Sequence, residues 1–153
     1  MRGSPLLLKS GRQGGIPVDD AMTIAASGMA AAMASLTASA SNVANAGSAG
    51  PTPDFTPVNA PSPASAYQPA VVIETSMAGG GVSATITRSS PSPILSYDPT
   101  APFANGQGMV AVPNVDYATE AVNQLSARMA FQANVKVFQA ANRNLDMLLN
   151  ILV

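Results

Sequence analysis

The stretch from Asp116 to Leu152 contains neither glycine nor proline, and this continuity constrains the fold more than any other feature. Glycine and proline are the residues that most often interrupt helices, so the stretch predicts a single long C-terminal helix over residues 116–153. Aspartate at its first position is a favoured helix-capping residue. At about 1.5 Å of rise per residue the helix is roughly 54 Å long, and the rest of the chain must be arranged around it.

This predicted helix has two apolar faces. A rotation of 100° per residue places one face along its first half and the other on the opposite side of its second half. The first face comprises Ala118, Val122, Leu125 and Met129, and the second comprises Phe131, Val135, Phe138, Leu145 and Leu149. A partner helix within the chain can cover one face over part of its length. The other face would stay exposed unless further subunits cover it, so the pattern predicts association into a polymer.

A second helix is predicted over residues 21–46, within a stretch from Ala21 to Pro53 that carries no charge. Apolar residues recur there at seven-residue intervals, with smaller or similar residues four positions later: Met22, Met29, Leu36 and Val43, then Ala26, Met33 and Ala40. This spacing predicts a seam for a partner helix, although a helix lying on the core of its own domain gives the same pattern. The many Ser, Thr and Asn residues disfavour the third alternative, a transmembrane helix.

The chain between the two helices, residues 47–115, predicts a proline-rich loop followed by a small β module. Six prolines between Gly50 and Pro69 favour extended or turn geometry. The glycine-rich turn Met77–Gly81 is flanked by two strand-like runs, which predicts a β-hairpin, and another short strand-like run follows later. These runs are Val71–Ile73, Val82–Thr87 and Met109–Val112.

The first twenty residues predict a disordered extension. Arg2 and Lys9 flank an apolar run, Leu6–Leu8, which is far shorter than the roughly 7–15 residues of a secretory signal. We therefore expect no cleavable signal peptide. Alternatively the native sequence begins near Val18 or Met22, and the preceding residues are not part of it.

Composition excludes several kinds of chemistry. The chain contains no histidine and no cysteine, which rules out imidazole-based catalytic triads, disulfides and the usual soft metal ligands. Seven basic residues against eight acidic residues leave no positive field to bind nucleic acid. The acidic residues in or beside loops are Asp54, Glu74, Asp98 and Asp116, and their spacing does not pair any two as in a glycosidase. We therefore expect no enzyme, cofactor or small-molecule substrate, with a peptidoglycan-acting accessory enzyme as the alternative.

Short motifs along about residues 21–153 resemble those of the flagellar basal-body axial proteins. In the N-terminal helix, Ser27-Gly28-Met29, Leu36 and Ser41–Ala46 resemble the S-G-L…L…S-N-I-A-N-A signature that rod, hook and hook-associated proteins share. Later motifs resemble, in the same order, those of the proximal rod proteins of the FlgC type. They are Gly80-Gly81-Val82, Ser90-Pro91, Tyr97-Asp98-Pro99, Pro102-Phe103-Ala104, Gly108-Met109-Val110, Pro113–Asp116, Glu120–Asn123 and Phe131–Val135. Ala101, Met109 and Phe131 depart from a frequent histidine and two common tyrosines of the family, and the proline-rich stretch fits it poorly.

This resemblance implies a structural subunit of the proximal rod of the flagellar basal body, which serves cell motility by transmitting torque across the periplasm. Its partners would be copies of itself, other flagellar rod proteins and the flagellar type III export apparatus, through which it would pass without signal cleavage. Another axial subunit, of a different rod or hook type, is the nearest alternative.

The expected fold is mainly α with a small β-rich insert. The long terminal helices would pack as an antiparallel coiled-coil-like pair, with a short β-hairpin module between them, and copies would assemble into a helical tube. Asn42 and Asn45 would cap the helix or bond a neighbouring subunit, or else simply end the helix. Charged residues of the C-terminal helix, such as Glu120, would be solvated or paired between subunits. We expect these subunit-interface residues: Met22, Met29, Met33, Leu36, Asn42, Val43, Asn45, Val122, Leu125, Met129, Phe131, Asn134, Val135, Phe138, Leu145 and Leu149.

Overall fold

A computed structural model describes residues 18–55, 65–89 and 93–151. Helix α1 spans Val18–Asn45 and helix α2 spans Tyr117–Ile151, with four short strands between them. With 28 and 35 residues, the helices are about 42 and 52 Å long. The strands are β1 Ala70–Ser76, β2 Val82–Arg88, β3 Ile94–Tyr97 and β4 Met109–Val112. The prediction of a mainly helical protein with a β insert is confirmed.

Both ends of helix α1 carry local polar contacts. Helix α1 begins at Val18, three residues earlier than predicted, because Asp19 and Asp20 in its first turn interact favourably with the positive end of the helix dipole. The predicted extension therefore overlaps the helix at residues 18–20, and residues 1–17 lie outside the described part. At the other end the Asn45 side chain donates to the Ser41 carbonyl over 2.7 Å.

The two helices pack against each other in opposite directions. Gly28 of α1 lies opposite Asn134 of α2, and Asn42 lies opposite Glu120. Counting back ten residues from Gly28 places Val18 near residue 144, so the last turns of α2 extend beyond the start of α1. The buried residues on the facing surfaces are small, which allows the helix axes to approach closely. They include Ala25, Ala32, Ala38 and Ser39 on α1, and Ala127 and Ala141 on α2.

The inward face of α1 differs from the predicted seam by one residue, or about 100° around the helix. The predicted seam residues Met22, Met29, Leu36 and Val43 are only half-buried, and Ala26, Met33 and Ala40 are exposed. Small residues replace them because there is no space for larger ones: a Cβ atom on Gly28 would lie 2.6 Å from the Asn134 side chain. Within the chain, therefore, the contact with α2 lies on a different face of α1 from the predicted seam, which stays a prediction for a partner helix.

Strands β1 and β2 form the predicted hairpin, which lies along α1. They pair antiparallel from Ala70 opposite Arg88 to Ser76 opposite Val82. The connecting turn contains Gly79, Gly80 and Gly81, all with φ between 87° and 105°, a region that only glycine adopts readily. Gly81 also has no room for a side chain, because a Cβ atom there would lie 2.5 Å from the Ser27 hydroxyl.

Strands β3 and β4 form a second antiparallel ribbon, from Ile94 opposite Val112 to Tyr97 opposite Met109. Only β4 was predicted. The ribbon is tied to the end of α1 by Gly50, whose N–H and carbonyl each bond Ala111 over 2.9 Å. Val110 in β4 is the largest fully buried side chain of the described residues.

The core of the described residues is therefore made mainly of alanine, because apart from Val110 and the prolines Pro69 and Pro113 every buried apolar side chain there is alanine. Alanine buries little area, so each such residue contributes far less than the roughly 1.5–3 kcal/mol of a fully buried Leu or Phe. Helix α1 is also long and apolar enough to cross a membrane, a test that core helices pass as well. Here α1 packs against both α2 and the hairpin.

Candidate assembly interface

The outer face of α2 carries a stripe of large apolar side chains that are mostly exposed. Val122, Leu125 and Met129 are 62%, 58% and 61% exposed. They form the first of the two predicted apolar faces, and they lie on the opposite side of α2 from the buried Ala127. Three large apolar side chains at helical spacing on one exposed face form a surface suited to association.

The second predicted face of α2 behaves differently, because it turns partly toward the interior. Phe131, Val135, Phe138 and Leu145 are half-buried, in line with the buried Ala127 and Ala141, whereas Leu149 is 55% exposed. We expected this face to contact another subunit. The structure instead places most of it beside α1, so a substitution there perturbs packing within the chain as well.

A groove of about 580 Å³ lies between α2 and the hairpin, with α1 as its floor. The floor consists of small residues such as Gly28, Ala32 and Ser35, and β1 and α2 form the walls. The groove remains open because the Cα atoms of β1 and β2 come within 8 Å of α1 but not of α2. Each wall contributes one carboxylate, Glu74 or Glu120.

Asn42 lies at the closed end of this groove and is 3% exposed. Its side-chain nitrogen donates to the Ala70 carbonyl over 2.9 Å and to Glu120 Oε1 over 2.8 Å. Its side-chain oxygen accepts from the Ala70 N–H over 2.6 Å and from the Tyr67 hydroxyl over 3.1 Å. All four hydrogen-bonding positions of the amide are occupied, and they connect α1, β1, the segment before β1 and α2.

Ser27 makes the corresponding contact near the other end of the hairpin. Its hydroxyl donates to the Ile24 carbonyl over 2.7 Å and accepts from the Val82 N–H over 3.1 Å. Ser27 was noted only as part of a motif, and Glu120 as part of another motif and as a charged residue either solvated or paired between subunits. The occurrence of Ser27, Gly28 and Asn42 in the two α1 motifs was the available signal that these positions make specific contacts.

Two of the four acidic residues considered as catalytic candidates, Asp98 and Asp116, make local contacts. Asp98 accepts from the Thr100 hydroxyl over 2.7 Å, and Asp116 accepts from the Thr119 hydroxyl over 2.7 Å and the Ala118 N–H over 3.0 Å. The bonds from Thr119 and Ala118 hold the pKa of the Asp116 carboxyl below its ordinary value of 3.8. This is the geometry of a helix N-cap.

The chain is similar in sequence to known flagellar proteins. A sequence model of the family described as the flagellar basal body rod FlgEFG protein C-terminal matches residues 107–151. The flagellar basal-body rod protein FlgC of Salmonella typhimurium is 39% identical over 115 residues, which cover 74% of this chain and 82% of the relative. FlgC of Escherichia coli O6:H1 is 38% identical over 119 residues, which again cover 74% of this chain and 82% of the relative. FlgC of Buchnera aphidicola from Acyrthosiphon pisum is 41% identical over 63 residues, 40% of this chain and 46% of the relative.

These relatives extend the resemblance seen in the motifs to most of the chain. The contacts of Gly28 with Asn134 and of Asn42 with Glu120 connect motifs that are far apart in the sequence. The motifs and the alignments lead to the same family. The chain belongs to the FlgC family of flagellar basal-body rod proteins and is a structural subunit of the basal-body rod.

Proposed function

We propose that this subunit polymerises through its two terminal helices into the proximal rod, and that the rod transmits torque across the periplasm. The observation that carries this proposal is the apolar stripe of Val122, Leu125 and Met129 on the outer face of α2. Since α1 packs on the opposite face of the same helix, α2 can contact a neighbouring copy without giving up its partner within the chain.

This arrangement favours a helical polymer over a closed dimer. If the stripe of one copy packs against a different surface of the next, the interface is heterologous, and such interfaces generate helical filaments when the rotation does not close. The small residues between α1 and α2 pack densely, and dense packing leaves little freedom to deform. A tube of such helices would resist shear and so transmit torque.

The same proposal includes the partners and the route of assembly. Other rod proteins would lie above and below this subunit, and the flagellar type III apparatus would export it without signal cleavage. The absence of histidine and cysteine from the sequence supports a mechanical role and not a catalytic one.

The interface residues expected from the sequence divide into two groups within this proposal. Ten of them are proposed to contact other subunits: Met22, Met29, Met33, Leu36, Val43, Asn45, Val122, Leu125, Met129 and Leu149. The others take part in contacts within the chain or lie beside them, and would contribute indirectly: Asn42, Phe131, Asn134, Val135, Phe138 and Leu145.

Leu125→Asp tests the stripe directly, in a strain that lacks its own copy of this protein. A carboxylate in the stripe would lose its water on assembly, so we expect at least a tenfold drop in subunits per isolated basal body and loss of swimming. Export into the medium should remain, because the side chain is exposed in the free subunit.

Gln139→Asp is the matched control, because it adds the same charge to an exposed position of α2 outside the stripe. It should assemble and swim like the unmodified chain. Normal rods with Leu125→Asp would contradict the proposed role of the stripe.

A further inference from the structure

The hairpin is held against α1 by two polar residues that are fifteen positions apart, Ser27 and Asn42. At 1.5 Å per residue they lie about 22 Å apart along the helix, close to the two ends of the hairpin. We infer that Ser27 and Asn42 are positioning residues that act as a two-point clamp, fixing the hairpin on the helix pair in the orientation needed for assembly. The inference rests on the proposed function, and it names the contacts within the subunit on which assembly would depend.

The contact of Asn42 with Ala70 resembles a strand pairing. The amide group of the side chain donates to the Ala70 carbonyl and accepts from the Ala70 N–H, as a residue on a neighbouring strand would. No other side chain of this size offers a donor and an acceptor in that planar arrangement. The first residue of β1 is thereby fixed in position and direction relative to α1.

Asn42 also makes the position of the hairpin depend on α2. Its second amide hydrogen bonds Glu120 Oε1, and the Ser39 hydroxyl donates to the Glu120 carbonyl over 3.1 Å. The guanidinium of Arg88 in β2 lies 4.9 Å from the ring centre of Tyr67, and the hydroxyl of Tyr67 donates to the Asn42 side-chain oxygen. Glu120, Tyr67 and Arg88 are therefore the titratable groups around this end of the clamp.

The rest of the hairpin has few other attachments. Among the described residues β1 and β2 approach α1 but not α2, and a two-stranded hairpin is at best marginally stable by itself. Three of its large apolar side chains, those of Val71, Ile73 and Ile86, are more than two-fifths exposed, so they add little packing against α1. Its orientation, and with it the shape of the adjoining groove, consequently depends on the two polar contacts.

Asn42→Asp separates this role from a general need for a polar residue. Aspartate keeps an acceptor for the Ala70 N–H, but it removes both donors and places a carboxylate within about 3 Å of Glu120. We expect at least a tenfold drop in subunits per isolated basal body, with export retained. Asn142→Asp is the matched control, since it adds the same charge at an exposed position of α2 outside the proposed subunit interface.

The reciprocal exchange decides whether the contact itself matters. In Asn42→Asp combined with Glu120→Gln, the new glutamine amide can donate to the new aspartate, which restores the bond between α1 and α2 with opposite polarity. We expect rod assembly to recover at least threefold over Asn42→Asp alone. Equal assembly by the Asn42→Asp and Asn142→Asp variants would overturn the inference, and so would a double variant no better than Asn42→Asp.

The second point of the clamp is tested with Ser27→Ala, using Thr23→Ala as the control. Both changes delete a hydroxyl that donates to a carbonyl of α1, but only that of Ser27 also accepts from the hairpin. Ser27→Ala combined with Asn42→Ala should reduce assembly more than the product of the two single effects. Independent effects would overturn the two-point clamp. Failure of the unmodified chain to form rods would instead refute the proposed function.

Discussion

At residue 28, a single methyl group decides how closely the two helices can approach. Gly28→Ala adds a Cβ atom that would lie between 2.6 and 2.8 Å from the side-chain atoms of Asn134, which must then turn away from its bond to the Ala130 carbonyl. We expect the change to cost about 1 kcal/mol even though alanine is the better helix former. The urea midpoint of the helical circular dichroism signal measures it.

The Asn134→Ala background provides the control for this prediction. With the amide removed, the three atoms nearest to the new methyl group are gone, and the helix propensity of alanine should stabilise the chain by about 1 kcal/mol. Gly28→Ala would thus change sign between the two backgrounds. An identical effect in both would show that Gly28 is not required by this contact.

The residue scale is where the sequence was least informative. Asn42 and Asn45 occur in one motif and were given the same set of alternative roles, yet Asn42 connects four segments and Asn45 bonds only its own helix. Their difference depends on where the hairpin lies, which local pattern does not specify. The seven-residue repeat of large residues likewise does not mark the contact with α2, because the helices approach too closely for Met29 or Leu36 to lie between them.

Among the elements, the start of α2 should respond to pH through Asp116. The lowered pKa of its carboxyl means that its stabilising contribution is present above pH 3.8 and is lost as pH falls through the folded-state pKa. We expect the chemical shift of the Ala118 amide proton to follow the protonation of the Asp116 carboxyl, with a midpoint below pH 3.8. The first turn should fray in the same range. Nuclear magnetic resonance of the purified chain would follow both.

Asp116→Asn serves as the control, because asparagine caps helices well but does not titrate in this range. Its first turn should remain formed and show no such pH dependence. A midpoint for Ala118 at or above 3.8 would show that the cap does not favour the charged carboxylate.

The elements themselves were largely predictable. The lack of glycine and proline predicted α2, and the strand-like runs on both sides of a glycine-rich turn predicted the hairpin β1–β2. Strand β3 was missed because its four residues, Ile94–Tyr97, lie between Pro93 and Pro99, whose signals indicate turns. Its pairing with β4 is a long-range contact that periodicity does not reveal.

For the whole molecule, the alanine-rich core predicts a subunit of low stability until it assembles. Its buried side chains contribute little, while Leu125, Met129 and the end of α2 remain exposed. We expect the dilute monomer to lose its helical signal at low urea in a broad transition, and the helix content to rise in the assembled rod. Circular dichroism of both forms measures the difference.

The dependence of the urea transition on protein concentration provides the control. Association should sharpen the transition and move it to higher urea as the protein concentration rises. A monomer that already melts cooperatively, with both helices fully formed and no tendency to associate, would contradict this account.

The last turns of α2, residues 145–151, project about 10 Å beyond the start of α1, while Gly50 ties the other end of α1 to β4. Among the described residues the two ends of the helix pair therefore differ, with α2 extending alone at one end and a paired strand at the other. Stacked head to tail, such units give a filament whose two tips are chemically different. Growth would then favour one tip, and the subunit itself carries the directionality of the structure that it builds.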